Sequence, residues 1–206
     1  MIALVDYGVG NLFSLLSSFA AIGVEARATD DPAVIAAADR VILPGVGAFA
    51  DARRKLAESG LEKTVLDQAE KGKPLMGICL GMQLLFDKSL EYGEHKGLGL
   101  IPGVVRPIAD VIPKGLKIPQ IGWNALSFPK PHPLFSKIKE GDHVYFVHSY
   151  YAADCDDFVL ATTEYGAPLT AAVGRENVLG CQFHPEKSGE VGLNILRAFC
   201  GEGVLC

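Results

Sequence analysis

Short apolar runs alternate with stretches whose apolar positions recur every three or four residues through the first ninety positions of the chain. Residues 2–5, 41–43 and 75–78 read as short buried strands, and residues 12–21, 56–69 and 80–86 as helices. That alternation predicts an α/β fold with a mainly parallel central sheet flanked by helices. Residues 97–133 break the rhythm: Pro and Gly are frequent, and the interval reads as irregular loops and antiparallel additions within the same domain. Strands return at 144–147, 159–163, 169–173 and 178–183, and a closing helix is expected over 188–199. No repeat, linker or low-complexity tract interrupts the pattern, so residues 1–206 are read as a single domain. In an open parallel sheet, ligands bind beyond the carboxyl ends of the strands. Three segments should meet there: the turn after Leu43, the turn at Cys79, and the exit of the strand that ends at Phe183.

Composition narrows the function classes. The chain has 206 residues, 49% of them hydrophobic, and a net charge of -5. Without a basic surplus or a Lys/Arg cluster interleaved with aromatics, nucleic acid is not an expected partner. The N-terminus has no basic stretch before an apolar one, and no apolar run approaches the ~18 residues of a membrane span, so a cytoplasmic location is expected. The cysteines are Cys79, Cys155, Cys181, Cys200 and Cys206. An odd number without a secretion signal disfavours a disulfide framework. Cys181 and Cys200 lie in apolar patterns and read as small core residues, whereas Cys206 reads as exposed.

Only Cys79 has a reactive setting. It stands in Gly77-Ile78-Cys79-Leu80-Gly81, where a strand turns into a helix. Glycines on both sides let the backbone bend tightly enough to present the side chain over the strand ends, as in the Gly-x-Ser-x-Gly elbow. The helix N-terminus beside the sulfur favours a thiolate. His184-Pro185-Glu186 follows the strand Gly180-Cys181-Gln182-Phe183, which places an imidazole at a strand end with a carboxylate able to turn back and orient it. By analogy with serine triads, losing such an orienting acid costs up to ~10⁴ in rate. His148 is a rival base at another strand end, but no comparable acid lies near it in sequence. His95, His132 and His143 read as surface positions. A metal role for Cys181 with His184 is disfavoured, because alternation points them to opposite faces and no companion ligands are apparent. No metal and no cofactor is expected.

Gly45-x-Gly47-x-x-Ala50 nominally matches a dinucleotide fingerprint, yet it opens a loop rather than a clear helix and lacks a distinct ribose partner. Main-chain N–H groups at Val46 or Gly47 could instead join that of Leu80 as an oxyanion hole, each such donor typically contributing ~10² to 10³ in turnover. Thiolate, base, orienting acid and oxyanion donors describe acyl transfer through a thioester.

Cys79 within GICLGMQLL together with His184-Pro185-Glu186 resembles the class I (triad) glutamine amidotransferases. Further segments resemble, within that class, the HisH family of glutaminase subunits of imidazole glycerol phosphate synthase. They are Asp6-Tyr7-Gly8-Val9-Gly10-Asn11-Leu12, Pro44-Gly45-Val46-Gly47-Ala48-Phe49, Gly122-Trp123-Asn124, Tyr145-Phe146-Val147-His148-Ser149-Tyr150 and His184-Pro185-Glu186-Lys187-Ser188. Gln120, where many members carry histidine, and Gly189, where glutamine is usual, depart from the family pattern.

The resemblance implies a flavodoxin-like amidotransferase fold with Cys79 as nucleophile, His184 as general base and acid, and Glu186 as its orienter. It implies that Gly47, Gln83 and the main chain around Ser149 and Tyr150 hold L-glutamine. It also implies that the peptide at Val46 flips to complete the oxyanion hole when the partner is occupied. The partner so implied is a TIM-barrel cyclase subunit that receives ammonia and makes imidazole glycerol phosphate and AICAR in histidine biosynthesis, met or hinged by Asn11, Trp123, Tyr145 and Lys187. Two other readings compete: an amidotransferase subunit serving another acceptor, such as anthranilate, a pyridoxal phosphate precursor or a nucleotide, and a flavodoxin-like phosphate-binding module in which Cys79 is incidental.

Overall fold

A computed structural model describes residues 1–201. Its first half alternates as the apolar pattern predicts: β1 (Ile2–Val5), α1 (Leu12–Ala21), β2 (Ala26–Thr29), α2 (Pro32–Ala37), β3 (Arg40–Leu43), α3 (Phe49–Glu58), α4 (Leu61–Glu70), β4 (Leu75–Ile78) and α5 (Leu80–Leu84). Then follow β5 (Phe86–Ser89), β6 (His95–Lys96), β7 (Ile101–Pro107), β8 (Gln120–Ala125), β9 (His143–His148) and β10 (Tyr150–Ala153). The chain closes with β11 (Val159–Glu164), β12 (Pro168–Arg175), β13 (Val178–Cys181) and α6 (Gly189–Cys200).

The central sheet has seven strands in the order β11-β12-β13-β4-β3-β1-β2. From β13 to β2 every pairing is parallel, and β11 and β12 are added antiparallel at one edge. The parallel order β2-β1-β3-β4-β13 is the flavodoxin-like one. Alternation along β1 sends Ala3 and Val5 to the layer that holds Ile35, Leu56 and Val65 of α2, α3 and α4. Ile2 and Leu4 face the layer that holds Leu15, Phe19, Ile195 and Phe199 of α1 and α6. Beside this sheet stand a four-stranded sheet, β10-β7-β5-β6, and the β8-β9 hairpin. Among the described residues, no helix is long and apolar enough to cross a membrane.

Three expected boundaries differ. The helix expected over 56–69 is two helices, because Gly60 adopts a left-handed φ of 75° between them and α3 begins back at Phe49. An ion pair between Arg53 and Glu62 spans that corner. The helix expected over 80–86 ends at Leu84: the N–H groups of Leu98 and Leu100 take the carbonyls of Leu84 and Leu85, and Phe86 leaves as a strand. The strand expected over 178–183 ends at Cys181, although Gln182 N–H still donates to Ala171 O at 2.8 Å. Among the other expectations, Cys181 is fully buried, Cys200 only partly so, and Cys206 lies outside the described residues.

Backbone fits directly against backbone at the turn after β4. A Cβ on Gly81 would lie 1.8 Å from the carbonyl oxygen of Leu43, and one on Gly77 would lie 2.5 Å from that of Gly81. A Cβ on Gly45 would lie 2.7 Å from Gly81 N. Overpacking against main chain cannot be relieved by a rotamer change, so Gly81→Ala should lower stability by more than ~3 kcal/mol, beyond the usual range for small-to-large changes. Gly23→Ala, at a left-handed turn with open space around it, should cost only about 1–2 kcal/mol. Denaturant unfolding of the two variants measures the contrast, and equal losses would contradict the packing account.

Candidate active site

Cys79 occupies the corner between β4 and α5 with φ 55° and ψ -113°, a conformation that a residue with a Cβ rarely adopts. Its N–H donates to Cys181 O at 2.8 Å, so the adjoining strand fixes the strained residue. On the neighbouring strand, the Pro44 carbonyl accepts a 2.7 Å hydrogen bond from the buried Tyr7 hydroxyl, which anchors the Val46–Gly47 loop beside the corner. Burial, followed by the proximity of Cys79, pushes the Tyr7 phenol well above its ordinary range, so it remains a donor. Val46 is exposed, and Gly47 has φ 94° with open space around it.

The third expected segment reaches the same place. His184 is buried, and its Nδ1 lies 2.8 Å from Glu186 Oε1. Ser188 Oγ closes the turn by donating to His184 O at 2.6 Å and accepting from Tyr145 N–H at 3.0 Å. Burial acts to lower the His184 pKa, but Cys79 and Glu186 hold the proton more strongly and raise it from 6.5 to about 10. Both neighbours therefore favour the imidazolium form. Burial drives the thiols of Cys155 and Cys200 up to about 11 and that of Cys181 well above the ordinary range.

A cleft of about 540 Å³ is lined by Val46, Gly47, Cys79, Leu80, Gln83, Ser149, Tyr150 and His184. Every residue assigned to glutamine or to the oxyanion hole thus faces one space, with Glu186 behind His184. Gln83 Nε2 donates to Tyr150 O at 3.2 Å, while Ser149 O accepts from Ile108 N–H at 3.0 Å. The carbonyls of this segment are engaged within the protein, which leaves N–H groups and side chains for a ligand.

His148 also lines the cleft, but its chemistry is that of a tether. Burial lowers its pKa from 6.5 to about 4 against the opposing hydrogen bond from Tyr150 O, so the ring is neutral near pH 7. Nδ1 lies 2.7 Å from Tyr150 O, an acceptor only, and must carry the ring proton. The nearest atom to Nε2 is Gln120 Oε1 at 3.0 Å, and a neutral ring protonated at Nδ1 requires the carboxamide to turn its NH₂ to Nε2. With its lone pair occupied, His148 cannot serve as the base. His132 is half-buried, and its Nδ1 accepts from Leu134 N–H; His95 is half-buried and His143 exposed.

The residues assigned to a partner lie apart from the cleft. Asn11 caps α1 by accepting from Ser14 N–H at 3.3 Å. Trp123 is 53% exposed and meets Tyr145 edge-on with ring centroids 6.1 Å apart. Lys187 Nζ stands 5.8 Å from the Tyr145 ring centroid. The residue pattern did not single out Glu91 and Tyr92, which line the cleft, or Gln182, whose Nε2 lies 3.7 Å from Cys79 Sγ. The spacing of two residues from His184 is the sequence signal that could have pointed to Gln182.

The two buried histidines give stability opposite pH dependences. His148, lowered in the fold, contributes stability that is present above pH 6.5 and is lost as pH falls through about 4. That interval corresponds to about 3 kcal/mol at 1.36 kcal/mol per pH unit. His184, raised in the fold, contributes stability fully present below pH 6.5 and lost as pH rises through about 10. In denaturant titrations from pH 7 to 4, His148→Gln should lose less stability than the parent by roughly that amount. Parallel curves would contradict the assignment.

The family model described as "Glutamine amidotransferase class-I" matches residues 3–201. The chain is 50% identical over 203 residues to "Imidazole glycerol phosphate synthase subunit HisH" of Syntrophotalea carbinolica, covering 97% of this chain and 98% of that one. It is 49% identical to the protein of the same name from Caldanaerobacter subterraneus subsp. tengcongensis, with full coverage of both. Among solved structures it is similar to "Crystal structure of glutamine amidotransferase", at TM-score 0.75 and 21% identity over 97% of this chain and 99% of that one. "Structure of PurLQS from Thermotoga maritima" is similar at TM-score 0.74 and 22% identity, over 97% of this chain and 96% of that one. These last two likenesses concern the fold. The chain belongs to the class I glutamine amidotransferases and, within them, to the HisH family of imidazole glycerol phosphate synthase subunits.

Proposed function

We propose that this protein is a single-domain glutaminase subunit that hydrolyses L-glutamine to glutamate and ammonia and delivers the ammonia to a cyclase subunit in histidine biosynthesis. The observation that carries the reading is the His184–Glu186 pair, 2.8 Å apart and buried, next to a cysteine on a strained elbow. The Cys79 thiolate attacks the side-chain amide carbon of glutamine. Negative charge gathers on the amide oxygen and is met by main-chain N–H groups at Leu80 and at Val46 or Gly47. His184, protonated at the start, gives its proton to the departing nitrogen, and ammonia leaves a thioester on Cys79. Water then attacks the thioester, His184 takes its proton, and glutamate and the thiolate are released. Glu186 holds the imidazole by Nδ1, so that the other ring nitrogen faces the reaction.

Gln83 and the Ser149–Tyr150 segment are suited to hold the amino-acid end of glutamine, since they line the cleft beside Cys79. The exposed face bearing Trp123, Tyr145 and Lys187, with Asn11 at the start of α1, is assigned to the cyclase subunit. Support comes from relatives named as subunits of a synthase and from Trp123 and Ile121, both large, apolar and more than half exposed on β8. A cytoplasmic location suits the free thiols of Cys79, Cys155, Cys181 and Cys200.

A glutamine-like electrophile should alkylate Cys79 in preference to the other thiols, because Cys155, Cys181 and Cys200 are held protonated by burial and stand outside the cleft. Peptide mass mapping reads the site, and equal labelling of Cys155 would defeat the assignment. Glu186→Gln should reduce kcat by about 10² or more while leaving KM within a few fold, as expected of a group that acts as charge develops. A change confined to KM would argue that Glu186 holds substrate instead. Ammonia release by the isolated chain should be slow and should rise when the cyclase subunit and its nucleotide ligand are added, with Cys79→Ala as the blank. Full activity alone would remove the coupling.

A further inference from the structure

We infer that Gln182 is a further catalytic residue, whose carboxamide N–H donates to the Cys79 sulfur and holds it in its attacking position. This rests on the reading of Cys79 as the nucleophile. Tyr150 O can only accept, and it takes a 3.2 Å hydrogen bond from the Gln83 side chain, which therefore presents its NH₂ there. The same Gln83 nitrogen lies 2.9 Å from the Gln182 side chain, so Gln182 must offer its oxygen on that side. A carboxamide that points its oxygen at Gln83 points its NH₂ away, and that nitrogen lies 3.7 Å from Cys79 Sγ. One backbone carbonyl thus fixes two amide orientations in series, and the last places a donor on the sulfur.

Burial makes the orientation consequential. Gln182 is fully buried and Gln83 nearly so. A buried amide N–H without a partner carries a desolvation cost, so the sulfur lone pair is the partner that satisfies Gln182. Its main chain is pinned by the bond to Ala171 O, and the residue before it accepts the Cys79 N–H. Gln182 therefore approaches the sulfur as part of the strand that holds the nucleophile's backbone. His184, two residues on and on the same face, supplies the positive partner, and the neutral Gln182 N–H supplies a second donor that does not take part in proton transfer. A charge-assisted hydrogen bond of this kind favours the thiolate and limits the sulfur's rotation.

Iodoacetamide, which needs no glutamine site, provides the test. Rates of Cys79 alkylation are followed from pH 6 to 10 in the full chain, with mass mapping of the modified peptide. Gln182→Met keeps length and removes the donor; its rate at pH 7 should fall about tenfold, and its pH profile should move up by about one pH unit. Gln182→Glu keeps an acceptor for Gln83 but replaces the N–H with a carboxylate oxygen, so it should be slowed at least as much. If Gln182→Met melts below the assay temperature, Gln182→Glu decides alone. Parent-like rates and profile in a folded Gln182→Met, or in Gln182→Glu, would overturn the proposal and leave Gln182 as a tether for Gln83. Failure of the parent protein to label selectively at Cys79 would instead overturn the underlying nucleophile assignment.

Discussion

The arrangement depends on one constraint, the contact of main chain with main chain where the turn after β3 meets the first turn of α5. Gly45, Gly77 and Gly81 have no room for a Cβ. α5 has only five residues, too few to be helical without tertiary support. What holds it is burial of Leu80, Met82 and Leu84 and its seat against the Leu43–Pro44 backbone. The same contact brings the first turn of α5 against the loop that continues to Val46 and Gly47, so packing that stabilises the helix also sets that loop beside the Cys79 corner. Tyr7 reinforces it from the third strand by holding Pro44 O. The unfavourable backbone conformation of Cys79 persists because its neighbours on both sides are fixed.

Two histidines a few ångströms from the same cleft show that burial alone does not set protonation. Both lose solvation, which favours the neutral ring. His184 gains a carboxylate on Nδ1 and a sulfur nearby, and its pKa rises to about 10; His148 gains only a peptide carbonyl and a neutral amide, and falls to about 4. One ring thereby favours its charged form beside Cys79, and the other is a neutral strut that joins Gln120 on β8 to Tyr150 O. That division separates the proposed base from its rival by partner chemistry rather than by position, since both stand near strand ends.

The sheet and the elbow were legible in the sequence because strongly buried strands show uninterrupted apolar runs, and because glycines at Gly77 and Gly81 have no other use so close to a cysteine. β2 and β10 were not, since half-buried edge sequences such as Ala26–Thr29 and Tyr150–Ala153 carry no clean period. The break at Gly60 was hidden because both helices present apolar faces to the same layer. α5 ended early for a reason no local pattern holds: residues 97–101 return to take its last carbonyls. Cys79, His184 and Glu186 could be chosen by chemistry alone, whereas Gln182 required knowing what lies opposite each end of its amide.

The β8-β9 hairpin links the outer face to the His184–Ser188 turn through two bonds at a single residue. Tyr145 O accepts the His184 N–H at 2.9 Å, and Tyr145 N–H donates to Ser188 Oγ, which in turn holds His184 O. The ring of that tyrosine carries the edge of Trp123 on one side and Lys187 Nζ on the other. A load on the exposed indole therefore has few soft elements to cross before it reaches the turn that carries His184 and Glu186. Gln120, which opens β8, is tied through His148 to Tyr150 O, which orients Gln83 and through it Gln182. The hairpin thus reaches the surroundings of Cys79 twice, through Tyr145 on β9 to the turn of His184 and through Gln120 on β8 to the amide pair. Displacement of this one hairpin would therefore reach both the turn that carries His184 and the Gln83–Gln182 pair.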